Sequence, residues 1–261
     1  MEIYVESRGF FQDDDYRWLK VTEQTQIRID KEDLPAIIQE ANQLIDSEAE
    51  SLVLGRKNNE LLFLVTGIEP EERVDFADRQ IRISVACLIP DVIDNERVLR
   101  MLATTTLDPK ERQDLTTEIS QAVSLGGETG FQVNFEHIQK LTNMSKSQNL
   151  LQDKLPSTNK KIAELSAKCQ AELGSELQQY RLPNQQGLIV VVTGIKKAET
   201  LINAGIWRGL SSLVSSQDWQ IVSHNLPKKK RSIQSSKYFN RLVIILAVIS
   251  TVSLLLKTLN F

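Results

Sequence analysis

The segment SLVLGRKNNELLFLVTGIEP, Ser51 to Pro70, decides the fold class. Its two apolar runs, 51–56 and 60–66, flank Lys57-Asn58-Asn59. Asparagine tolerates turn backbone, so this pattern predicts two strands joined as a hairpin. Residues 80–89 alternate through Ile81, Ile83 and Val85 before becoming continuously apolar, which supplies a third strand of the same sheet. Upstream, Ile3-Tyr4-Val5 and residues 16–21 form strands around a polar loop, 8–15. Asp30 to Asp33 offer an N-cap with Pro35 in the first turn, and Leu34, Ile37, Ile38, Ala41, Leu44 and Ile45 follow at helical spacing.

Downstream, residues 96–105 present Val98, Leu99, Leu102 and Ala103 as a helix face. Asp108-Pro109-Lys110-Glu111 is a capping box, opening a helix lined by Leu115, Ile119, Ala122 and Val123 and stopped at Gly126-Gly127. Phe131, Val133 and Phe135 alternate as a short strand. Residues 1–141 therefore read as an N-terminal α+β domain, and 142–158, polar and containing Pro156, as a linker or loop.

Residues 159–227 form a second α/β segment that can pack on the first. There Ile162, Leu165, Cys169, Leu173, Leu177 and Tyr180 share one face close to a 3.6 period. A strict heptad would drift into Glu172 and Glu176, so a packed helix is expected rather than a coiled coil. Pro183 ends it, 188–192 is a strand buried on both faces, 200–213 a helix broken at Gly205 and Gly209, and 218–223 a last strand. The expected body is α+β, or α/β, with a mixed sheet.

Charge is distributed unevenly. Of the 31 Lys and Arg, seven lie after Pro227 (Lys228, Lys229, Lys230, Arg231, Lys237, Arg241 and Lys257) with no acid among them. Residues 1–227 thus carry 24 bases against 34 acids, a formal −10. Within the basic tail, residues 242–256 read LVIILAVISTVSLLL, with no charge, Gly or Pro. These residues would span about 22 Å as a helix, and snorkelling by Arg241 and Lys257 extends the span to about 30 Å over 239–258. Eleven of the fifteen are Leu, Ile or Val, worth about −5 kcal/mol in all on the insertion scale. Apolar side chains occupy every angle, whereas a core helix shows a polar stripe.

A transmembrane helix over 239–258 is therefore expected, with 228–238 as a basic juxtamembrane stalk. Six bases precede the span and one follows it, so the positive-inside rule places the body in the cytoplasm, a single-pass, tail-anchored topology. Lys228, Lys229, Lys230, Arg231, Lys237 and Arg241 are the expected contacts to anionic headgroups. The amino terminus shows no basic and then apolar leader, so no cleavable secretion signal is expected. An acidic body repels a phosphate backbone, so no nucleic-acid partner is expected.

Catalytic signatures are missing from the sequence. His137 and His224 have no second ligand at metal spacing, and no HExxH, GxSxG, GxxxxGK[ST] or GxGxxG occurs. Gly126 to Gly130 leaves a helix instead of entering one, and reads as a turn. Cys87 and Cys169 read as packing residues of a reducing compartment, not as a disulfide framework. Neither a metal nor a cofactor is expected.

Two surface spots stand out. Asp13, Asp14 and Asp15, with Arg8, Arg17 and Trp18 nearby, form a candidate ligand or partner loop, since Arg and aromatic residues dominate interface hot spots. Trp207 and Arg208, between Gly205 and Gly209, form the other; either can instead pack within its own domain. LLFLVTGIEP (61–70) also resembles LIVVVTGIKK (188–197). Coincidence explains this adequately, and the functional alternative is a pair of strand-end turns whose Gly67 and Gly194 amides meet a ligand.

The opening Ile3-Tyr4-Val5, Ser7-Arg8-Gly9, Gln12-Asp13 and Asp15-Tyr16-Arg17-Trp18-Leu19 resembles the N-termini of uncharacterised bacterial proteins, cyanobacterial ones in particular. That resemblance covers about twenty residues and implies no activity. The expected function is a tail-anchored membrane protein presenting an acidic cytosolic domain as a non-enzymatic adaptor or sensor for a protein partner. The alternatives are a membrane-tethered hydrolase or nucleotide-binding enzyme using 13–15 with Arg8, and an oligomerising membrane effector.

Overall fold

A computed structural model describes residues 1–11, 15–47, 49–70, 73–144 and 151–222. The chain opens as an antiparallel meander: β1 (Glu2–Ser7) pairs with β2 (Arg17–Val21), and β2 with β3 (Gln26–Ile29). A 3-10 turn at Lys31–Asp33 leads into the short helix α1 (Ala36–Asn42). The hairpin at 51–68 follows as β4 (Ser51–Lys57) and β5 (Glu60–Ile68). Its two-residue loop places Asn58 and Asn59 at φ 53° and 62°, the left-handed pair of a tight hairpin turn. Strand β6 (Ile83–Pro90) pairs with β5 on one edge and β1 on the other.

Helices α2 (Ile93–Leu107) and α3 (Glu111–Ala122) come next, then a small hairpin of β7 (Val123–Leu125) and β8 (Phe131–Val133), and α4 (Phe135–Met144). The remainder is β9 (Lys161–Glu164), α5 (Ala167–Gln179), β10 (Gly187–Lys197), α6 (Ala198–Asn203), β11 (Arg208–Leu213) and β12 (Gln220–Ile221).

Ten strands make one mixed sheet in the order β12-β9-β11-β10-β4-β5-β6-β1-β2-β3. Strands β9, β11 and β10 run parallel to their neighbours in that group, and the pairs from β10 through β3 are antiparallel. The body is thus an α+β fold on a large mixed sheet. The parallel strands need helical crossovers, which α5 and α6 supply on opposite faces. One face carries Val5, Leu19, Leu54, Phe63, Val85 and Val190, packed with side chains from α2, α3, α4 and α5. The other carries Tyr4, Trp18, Val53, Leu62, Leu64 and Val191 with α1 and α6. Burial on both faces explains why 51–56, 60–66 and 188–192 are apolar without alternation. The two sequence segments share this sheet through the β4–β10 pair, and residues 1–222 form one compact unit.

Several local expectations change. Gly126-Gly127 does not stop a helix: α3 ends at Ala122, and Gly126 to Gly130 is the turn between β7 and β8, with positive φ at Gly126, Gly127 and Gly130. Phe135 opens α4 instead of closing a strand, with Asn134 accepting the His137 amide at 3.2 Å. Ile162 and Leu165 precede the helix they were assigned to. Ile162 is in β9, and Ser166 caps α5 by accepting the Cys169 amide at 3.3 Å. The broken helix over 200–213 is α6 followed by β11. The first helix is shorter than its apolar face: the residues expected to cap it form a 3-10 turn, Leu34 precedes the helix, and Leu44 and Ile45 follow its end at Asn42. Residues 151–154 are tied down, with the Gln152 amide donating to Gln178 O at 2.8 Å and the Arg181 amide to Lys154 O at 2.9 Å. The basic stalk and the apolar span lie outside the described residues; among those described, no helix is long and apolar enough to cross a membrane.

A buried ionic network joins the two segments. Glu96 of α2 is 1% exposed, Arg56 of β4 is 5% and Arg100 of α2 is 0% at their side chains. Arg56 Nη2 donates to Glu96 Oε2 at 2.8 Å and Nη1 to Pro183 O at 2.6 Å, while Nε lies 2.8 Å from Asp91 Oδ2. Glu96 Oε1 accepts the Leu182 amide at 2.9 Å. Arg100 caps the end of α5, donating to Tyr180 O and Asp153 Oδ1, each at 2.6 Å, and to Gln152 O at 3.0 Å.

Such a network adds little net stability over an apolar substitute, but removing one partner strands the rest. Glu96→Ala should cost about 3–5 kcal/mol, by leaving the Arg56 guanidinium and the Leu182 amide short of an acceptor and the buried Arg100 without the counter-charge 3.7 Å away. Urea unfolding followed by tryptophan fluorescence checks this; a loss below about 1 kcal/mol, the range of an exposed pair, would contradict it.

Candidate functional site

The loop after β1 is stitched onto the segment before β6. Ser7 Oγ donates to Arg82 O at 3.0 Å, and Arg8 Nη2 to Asp75 Oδ2 at 2.6 Å. Asp75 is the hub. Its side chain is fully buried, yet it collects donors: the amides of Ala77 (2.8 Å) and Arg79 (3.0 Å) at Oδ1, and Arg79 Nε (2.9 Å) at Oδ2. The Arg8 guanidinium also stacks 5.3 Å from the Tyr16 ring centroid, and the Tyr16 hydroxyl accepts the Arg82 amide at 3.0 Å. The Phe76 amide donates to Phe10 O at 3.1 Å, and buried Arg73 donates to Val123 O at 3.3 Å. Burial pushes the Arg73 guanidinium down to about 10.

This stitching holds three aromatic side chains outward. Phe10, Phe11 and Phe76 are 41%, 70% and 46% exposed. The Phe10 and Phe11 rings meet edge to face at 5.5 Å, and the Arg79 guanidinium lies 5.9 Å from the Phe76 centroid. An exposed aromatic group on a fixed backbone is the usual make-up of a protein-contact surface.

The residues expected at this loop separate. Arg8 holds the loop, Asp15 is exposed at its end, and Arg17 is half-buried at the start of β2. Trp18 packs inside the body at 1% exposure. Asp13 and Asp14 lie outside the described residues, as do Lys228, Lys229, Lys230, Arg231, Lys237, Arg241 and His224. The second spot is internal. Trp207 is buried and donates Nε1–H to Ser157 O at 2.7 Å, while Arg208 stacks on it at 3.9 Å and pairs with Glu176 at 2.5 Å. Sequence reading missed Phe10, Phe11 and Phe76. An adjacent Phe pair inside a polar loop was the available signal, whereas Asp75 carried none.

The two Val-Thr-Gly-Ile stretches lie on β5 and β10, which both pair with β4 antiparallel, but only the first ends its strand: β10 continues past Gly194 to Lys197. Gly67 does not leave its backbone open to a ligand. It sits at φ +69°, and an added Cβ would fall 2.2 Å from the carbonyl carbon of Ala49, so the preceding loop fills that place. Beside it lies an open cavity of about 90 Å³, lined from both strands by Val65, Thr66, Ile68 and Val192, and by Arg112 of α3.

Comparison of the chain with family models, with curated proteins and with solved structures found no match.

Burial alone would raise the Asp75 carboxyl, but the Arg79 and Ala77 amides and the Arg79 guanidinium outweigh it and hold it at about 2, below its ordinary 3.8. A depressed carboxyl stabilises the loop above the ordinary value, and that contribution is lost as pH falls from 3.8 towards 2. Hydrogen-exchange protection of the Phe76 amide, corrected for intrinsic rate, should therefore drop across this window. In Asp75→Asn it should already be low at pH 7. Equal protection in the two proteins at pH 7 would remove Asp75 from this role.

Proposed function

We propose that the chain is a membrane-anchored adaptor whose cytosolic α+β body presents the 8–16 loop to a protein partner. The observation that carries this reading is the Phe10, Phe11 and Phe76 group, exposed on backbone that Asp75 and Arg8 hold in place. Preorganised aromatic contacts lose little entropy on binding, so a small platform gains affinity. The acids Asp13, Asp14 and Asp15 in the same loop favour a partner whose apolar groove is rimmed by Lys or Arg. The anchor rests on residues 242–256, uncharged over their whole length, and on the preceding bases, which suit an anionic cytoplasmic leaflet.

Two measurements test the two halves separately. The full-length protein should stay in the membrane pellet through alkaline carbonate; release would remove the span. A photo-crosslinking residue at position 11, in cells, should give one discrete protein adduct that Phe10→Asp reduces at least tenfold. A diffuse ladder, or an adduct unaffected by Phe10→Asp, would remove the adaptor.

A further inference from the structure

The cavity at the ends of β4 and β5, beside β10, has features that packing does not require. Its floor is apolar, from Leu52, Val65, Ile68, Leu107, Leu115 and Val192. At about 90 Å³ it is several times the roughly 10–15 Å³ that admits one water, room for a small branched alkyl group. Among the described residues, one cation lines it. Arg112 is anchored through Nε to Thr106 O at 2.8 Å, and its Nη1 pairs with Glu50. That anchor fixes the guanidinium plane. The Glu50 side chain is 65% exposed while that of Arg112 is 24%, so the acid is the member of the pair that solvent already competes for. A solvent-exposed pair of this kind is weakly held and yields easily to another carboxylate.

Two of the hydroxyls around the cavity are turned to backbone acceptors. Thr66 Oγ1 donates to Asp46 O and Ala49 O, each at 3.0 Å, and Thr106 Oγ1 to Leu102 O at 2.7 Å. With a single guanidinium among the described lining residues, the cavity can neutralise one carboxylate. The arrangement therefore suits one carboxylate at the guanidinium fork and a branched alkyl group on the apolar floor.

We propose that this cavity binds a small branched monocarboxylate, which displaces Glu50 from Arg112. The site is independent of the adaptor reading and would give the body a ligand to sense. Methyl saturation-transfer NMR on the full-length protein in detergent micelles, with isobutyrate as the probe, tests it. Isobutyrate should bind saturably in the millimolar range, and the neutral isobutyramide at least tenfold more weakly. Arg112→Gln should abolish binding. Glu50→Gln, which keeps the shape but removes the competing charge, should tighten it several-fold with the fold intact by tryptophan fluorescence. Three results would each overturn the proposal: no saturable isobutyrate signal, equal binding of the amide, or a Glu50→Gln protein that binds no better than the parent.

Discussion

The Glu96 carboxylate is the constraint on which the body depends. It is buried between β4, α2 and the chain that leads into β10, and each of its oxygens is engaged. Arg56 reaches it from the sheet, and the Leu182 amide reaches it from the turn before β10. A buried charge with these partners cannot relax without stranding another charge or a backbone donor. It therefore fixes how β10 approaches β4, and that approach joins the parallel group β9, β11, β10 to the antiparallel remainder of the sheet.

Once β4 is held between β5 and β10, both places of functional interest are defined. At one end of β4, the bulge at Gly67 closes on Ala49 and leaves the side chains on either side to line the cavity. Across the sheet, β5 pairs with β6 and β6 with β1, so the loop leaving β1 meets the residues that precede β6. Arg8 and Asp75 are 67 residues apart in sequence and in contact only because of that strand order.

Most of the fold was legible where burial leaves a simple period. The 51–68 hairpin, β1, β2, β6, β10, α2, α3 and most of α5 follow apolar patterns that few other structures produce. The misreadings have physical causes. Strand β3 is a four-residue edge strand whose Gln26, Ile27 and Arg28 are exposed, and its alternation, Ile27 and Ile29, is too short to stand out. Strand β11 contains Gly209 and Ser211, a turn-like composition. Yet Gly209 suits that place, because an added Cβ would crowd the Leu201 and Ile162 side chains at 3.1 Å and 3.2 Å. Ile162 and Leu165 keep helical phase with Cys169 across Ser166, so only the Ser166 cap shows where the helix begins. For the loop, Arg8 was legible as a charged residue among aromatics, but its partner was not. A lone Asp75 acquires meaning only through contacts made in three dimensions.

Asp75 and the exposed phenylalanines belong to one argument. Two neighbouring segments that together bear three large aromatic side chains would lower their free energy by folding them against the body, unless their backbone were held elsewhere. Here it is held by a carboxylate with no solvent contact whose donors come from Arg8, Ala77 and Arg79. Charge-assisted hydrogen bonds of this kind are about twice as strong as neutral ones, and their geometry is specific. The loop's conformation is thus set by polar contacts beneath it, not by the aromatic groups on top. Those groups are left with unburied apolar area, and covering that area is the main favourable term open to them. A surface built in this order, polar anchor first and apolar contact last, keeps apolar area that its own fold does not bury.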